Sequence, residues 1–110
     1  MKFGLDKNII DEINNIFSEF PEVESAVIYG SRAIGNYRPG SDIDLTFKGK
    51  NLNLRIINKI SLKLDDLFLP YTFDLSVFDQ IENEDLIEHI NRAGRLFYKQ
   101  PTTVEINKHS

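Results

Sequence analysis

Cysteine is absent from the chain. That excludes disulfides, zinc–thiolate sites and cysteine nucleophiles. A basic excess is absent too. Lys and Arg number 13 against 17 Asp and Glu, for a formal net charge of −4. A protein that grips a long polynucleotide usually shows a basic face or a high pI. Direct polynucleotide binding is therefore not expected, and any nucleotide contact should be local. No apolar run approaches membrane-spanning length. The opening "MKFGLDKNII" has neither a long apolar stretch nor a small-residue cleavage site. The expected location is cytoplasmic, with no membrane partner. Repeats, low-complexity segments and linkers are missing as well. At 110 residues the chain has room for one core, not for a catalytic domain plus a separate substrate domain. One domain over residues 1–100 is expected, with a loose tail over 101–110.

What is present alternates between two periods. "DKNIIDEINNIFSEF" places Ile9, Ile10, Ile13, Ile16, Phe17 and Phe20 at helical spacing. Asp6 is its N-cap candidate, with Leu5 and Ile10 as a staple, and Pro21 marks its end. "VESAVIYG" is a short apolar strand that stops at Gly30. "DIDLTFKG" alternates, with Asp42, Asp44 and Thr46 on one face and Ile43, Leu45 and Phe47 on the other. "NLNLRIINKISLKLDDLF" is a second helix, broken by Pro70. "YTFDLSVF" alternates again and carries Asp74 on its polar face. "NEDLIEHINRAG" is a third helix with Asn83 as N-cap and Gly94 as C-cap, and "RLFY" is a final strand. The fold class is α/β (α+β): a small mixed sheet with helices packed on one face.

The stretch "YGSRAIGNYRPGSDIDL", Tyr29 to Leu45, carries the chemistry. Asp42 and Asp44 leave the same strand face about 7 Å apart along the backbone. From there two carboxylates can converge on one hard cation or on a pair of cations roughly 4 Å apart. Asp74 joins them if its strand is a neighbour; Asp79, further along, is its competitor. Oxygen-only ligation favours Mg2+, with Mn2+ as the alternative. Clustered carboxylates repel one another, and a cation removes that cost. Gly30 and Ser31 supply the other half. A glycine lets the backbone turn close to a ligand, successive N–H groups can hold a phosphate, and the Ser31 hydroxyl adds a donor. Arg32 and Arg38 offer charge to a polyphosphate. His89 reads as a packing or surface residue of the third helix. The stretch suits a metal–nucleoside triphosphate.

Gly-Ser, ten residues, then Asp-Ile-Asp resembles the DNA polymerase β-like nucleotidyltransferases. The fuller stretch resembles their minimal nucleotidyltransferase (MNT) branch, small proteins often encoded beside a HEPN-domain protein. The resemblance runs from Val23 to about Tyr98. It implies that Gly30 and Ser31 hold the triphosphate, that Asp42 and Asp44 bind metal, and that Asp74 is the third carboxylate, near the attacking hydroxyl. It also implies ATP or another nucleoside triphosphate as substrate. An antitoxin role follows, in which AMP is transferred to a tyrosine of a HEPN ribonuclease toxin. Two other functions are open on the residues alone: a binding module that silences its partner by occlusion, and a nucleotide-sensing regulatory subunit.

Overall fold

The computed structural model describes residues 1–101; the expected tail beyond Pro101 lies outside them. The chain order is α1 (Lys7–Ser18), β1 (Ser25–Tyr29), α2 (Ser31–Ile34), β2 (Ile43–Lys48), α3 (Leu54–Asp65), β3 (Phe73–Val77), α4 (Glu84–Ala93) and β4 (Arg95–Lys99), with one 3-10 turn at Phe78–Gln80. The strands form one mixed sheet in the order β3-β2-β1-β4. β1 pairs antiparallel with both β2 and β4, and β2 pairs parallel with β3. A parallel pair needs a long crossover, and α3 supplies it.

The period-2 pattern of β1 and β2 sends Ala26, Ile28, Ile43, Leu45 and Phe47 to one face, all fully buried. The helical stripes of α1 (Ile13, Ile16, Phe17) and α3 (Ile56, Ile57, Ile60, Leu64) cover that face and complete the core. Phe17 meets Phe47 edge-on at 5.1 Å between ring centroids. Burial of such side chains stabilises by roughly 1.5–3 kcal/mol each. The opposite face carries Val27, Tyr29, Asp44, Thr46, Asp74 and Ser76, because cross-strand partners share a face. The mixed sheet with its helical layer is the architecture read from the sequence. α4 adds a short cover on the second face: His89 packs edge-on to Tyr29, and Ile90 is buried outside the main core.

Asn53 and Asn83 cap α3 and α4, each accepting from the N–H three residues on, Ile56 and Leu86. Asp6 stands at the N-cap of α1, but its side chain makes no capping bond. α3 ends at Asp65, short of the expected Phe68, where a left-handed Phe68 (φ 53°) turns the chain away. Gly94 does close α4, but in extended conformation (φ −67°). Its reason is space, since a Cβ there would collide with the Ile90 carbonyl and with Val27. Among the described residues no helix is long and apolar enough to cross a membrane.

Candidate active site

β1 delivers the chain to Gly30, whose backbone (φ 76°, ψ −154°) lies in a region open essentially to glycine alone. The turn starts α2 at once, a helix of 4 residues closed by Gly35 in left-handed conformation. Such a short helix has no hydrophobic period to read, which is why the sequence showed only a loop there. The Gly30 carbonyl accepts from Ala33 and Ile34 at 3.1 and 3.3 Å. The N–H groups of Ser31 and Arg32 come too early in the helix to find a carbonyl behind them. The Gly30 N–H instead donates to His89 Nε2 at 3.4 Å.

Asp44 stands beside this turn. It pairs across the sheet with Tyr29, and a Cβ built on Gly30 would lie 2.5 Å from Asp44 Oδ2. Gly30 is thus required for its backbone angles and for the carboxylate that leans over it. On the other side, the parallel register sets Asp74 directly opposite Asp44. The two strands are neighbours, the condition under which a third carboxylate joins the pair. Asp42 precedes β2 and is exposed, as is Asp74, while Asp44 is half-buried. Asp79 lies past the strand in the 3-10 turn. Burial raises the Asp44 carboxyl above its usual range. The charges of Asp74 and Asp42 push it further in the same direction, and Arg32 opposes them.

Arg32 has a different task from the phosphate contact expected of it. Its side chain is 2% exposed. Nε and Nη2 donate to the Ser41 carbonyl at 3.1 and 2.8 Å, and Nη1 donates to the Phe3 carbonyl at 2.9 Å. The guanidinium lies over the rings of Tyr71 and Tyr37, 5.0 and 5.4 Å from their centroids. It ties the N-terminal turn to Ser41, the residue before Asp42. Its side chain is spent inside the protein; its main-chain N–H is what remains at the turn. Arg38 is exposed on the loop, its N–H bonded to Ser41 Oγ at 2.8 Å.

Beneath the carboxylates the sheet face stays polar. Thr46 is fully buried and donates to the Ser76 carbonyl at 3.4 Å. The Ser76 hydroxyl is buried without a partner in hydrogen-bonding geometry. Burial raises the Tyr29 phenol; the nearby Ser76 hydroxyl pulls against this, and the Asp74 and Asp44 charges add to it. Among the described residues no three acidic or histidine side chains close a cage on a metal ion by themselves. The donor set still fits a hard cation: carboxylate oxygens only, like-charged, on an open face, with a raised Asp44 that a cation would relieve. His89 and Tyr29 are the site-lining residues that sequence reasoning did not assign. His89 has no local signal, because it reaches the site through a tertiary contact; Tyr29 adjoins Gly30 in the chain, and what the sequence does not show is its pairing with Asp44.

Residues 11–103 match the polymerase beta nucleotidyltransferase family. The chain belongs to that family. No curated protein matches it in sequence. Among solved structures it is similar to a toxin–antitoxin complex with AMP-PNP, at TM-score 0.66 and 18% identity over 96% of this chain and 89% of that one. It is similar also to a mutant of the MntA–HpeT toxin–antitoxin, at TM-score 0.65 and 15% identity over 94% and 80% of the two chains. A third is a tri-AMPylated HEPN toxin from Shewanella oneidensis in complex with an MNT antitoxin, at TM-score 0.63 and 14% identity over 96% and 79%. At these identities the likeness is one of fold. As a family member the chain carries the nucleotidyltransferase core, with Gly30, Ser31, Asp42, Asp44 and Asp74 gathered at one end of its sheet.

Proposed function

We propose that this protein transfers AMP from ATP to a hydroxyl of a partner protein, as the antitoxin of a HEPN toxin. The observation that carries the reading is the direct pairing of Asp44 with Asp74 beside the Gly30 turn. Similarity of fold to antitoxins in complexes that hold AMP-PNP or an AMPylated HEPN toxin supports the choice of nucleotide and acceptor.

The main-chain N–H groups of Ser31 and Arg32, with the Ser31 hydroxyl, bind the outer phosphates of the triphosphate. Asp42 and Asp44 hold Mg2+, or Mn2+ in its place, and Asp74 completes the set. When bound, the metal neutralises charge on the phosphates and on the departing pyrophosphate. Asp74 accepts a hydrogen bond from the incoming hydroxyl and orients its oxygen on the α-phosphorus. The bond from that oxygen to the α-phosphorus forms as the bond to the bridging oxygen of the β-phosphate breaks. Pyrophosphate leaves, and the hydroxyl proton passes to the Asp74 carboxylate and on to water. Positioning and electrostatics supply the acceleration. Both outer carboxylates are exposed, so the acceptor arrives on another molecule.

Intact-mass spectrometry of the partner tests this. Co-expressed with the wild type, it gains whole multiples of about one AMP moiety; co-expressed with Asp44→Asn, it gains none. A partner silenced but unmodified in both cases replaces transfer with occlusion.

A further inference from the structure

β3 is an edge strand. In a parallel strand successive residues turn their main-chain groups to opposite sides. The Thr72 carbonyl accepts from the Ile43 N–H, and the Ser76 carbonyl from Thr46 Oγ1. Residues 72, 74 and 76 therefore face β2. Phe73, Leu75 and Val77 turn their N–H and C=O groups outward, where the sheet has no further strand among the described residues. An edge of this kind is a template for an extended segment.

Three features say what kind of segment fits. First, Asp74 projects from this edge strand on the face it shares with Asp44. A residue paired beside it on an added strand points to the same face, with Cβ atoms about 5 Å apart. Second, the other face of the same edge opens into a groove of about 240 Å³, bordered by Leu54, Ile57, Leu75, Val77 and Ile81, with Ser76 and Gln80 as its polar members. Side chains alternate along a strand, so the neighbours of the Asp74-facing residue enter the apolar groove. Third, the strand itself and the segment after it carry only acidic charge. No lysine or arginine occurs between Lys63 and Arg92, and Asp74, Asp79 and Glu82 are exposed; the cation that reaches this end is Lys48 of β2, over the Phe78 ring.

We propose that the acceptor protein docks on the outer edge of β3 as an added strand, through a segment that reads apolar–hydroxyl–apolar with basic flanks. Its hydroxyl residue lies beside Asp74, and its apolar neighbours fill the groove at Leu54. The proposal rests on the transfer reaction above and adds how the acceptor is recognised.

The probe is a synthetic peptide with one tyrosine, isoleucine on each side and lysines outside those. One control replaces isoleucine by asparagine, the other lysine by glutamate. Amide–water exchange is followed by NMR without ATP. At nine-tenths saturation the amides of Phe73, Leu75 and Val77 slow by about tenfold, while those of Asp74 and Ser76 keep their rates. Neither control peptide slows them. Leu54→Asp changes an exposed side chain, so the fold survives; it weakens the peptide more than tenfold and leaves Mg-ATP binding unchanged. No slowing at the three amides with millimolar peptide overturns the docking mode, and so does slowing with both controls. Transfer to the peptide without slowing sinks the docking mode alone. Slowing without transfer, once Mg2+ and ATP are added, keeps the docking mode and sinks the transfer reading.

Discussion

Gly30 answers to two demands at once, a backbone angle that excludes side chains and a carboxylate that leaves no room for one. Gly30→Ala should cost about 1–3 kcal/mol in urea unfolding and abolish Mg-ATP heat in calorimetry. A variant of unchanged stability would mean that the turn relaxes freely. Asp44 carries the pH dependence. Its carboxyl is raised in the folded chain, so the folded state binds more protons than the unfolded one between the ordinary carboxylate value and the raised one. Stability of the metal-free protein therefore falls as pH rises through that window, and the deficit persists above it. Asp44→Asn should remove that fall and melt no lower than wild type at neutral pH, measured without metal. A large drop in Tm would make Asp44 structural. Arg32→Lys should cost about 2–3 kcal/mol, since it breaks charged hydrogen bonds to two partly buried carbonyl partners. A change under about 0.5 kcal/mol, the range of a free surface residue, would contradict the clamp. The turn at Gly30 and the shared face of Asp44 and Asp74 were legible in sequence, because spacing sets the face and glycine the turn, whereas Asp42 falls just before β2 rather than on it. The fate of the Arg32 side chain was not, because Phe3 and Tyr71 reach it from distant parts of the chain.

At the scale of elements, the helices and strands followed from period and punctuation, and their ends only in part: Asp6 makes no capping bond and α3 stops at Asp65. Asn83 was readable as the start of α4. Asn53 carries no such signal, because the helical pattern begins two residues earlier, at Asn51. Asn53→Ala should destabilise by about 1 kcal/mol in urea unfolding while Mg-ATP affinity holds. Loss of nucleotide binding in that variant would show that the start of α3 shapes the site. α2 is invisible in the sequence because 4 residues cannot display a helical period. The β2–β3 adjacency is open in the sequence, since no local signal says which strands pair. The parallel crossover through α3 meets it and lines up Asp44 with Asp74 in one step. His89 reaches the turn only because α4 lies across Tyr29, a packing decision that periodicity does not announce.

The whole molecule has its core on one face of the sheet and its chemistry at one end of the other. That division leaves the carboxylates open to solvent and to a second macromolecule. The described carboxylates do not form a closed cage, so metal and nucleotide should bind together. Mg2+ alone should shift Tm little, ATP alone little, and the two together by several degrees, as expected for a ligand that binds only the folded state. An equal shift with ATP plus chelator would separate nucleotide binding from the carboxylates. The measurement that bears most directly on transfer uses the HEPN partner, this protein, Mg2+ and ATP labelled at either the α- or the γ-phosphate. Label from α-labelled ATP should appear on the partner, and none from γ-labelled ATP. Label arriving from the γ-phosphate, or from neither, would contradict nucleotidyl transfer at this site.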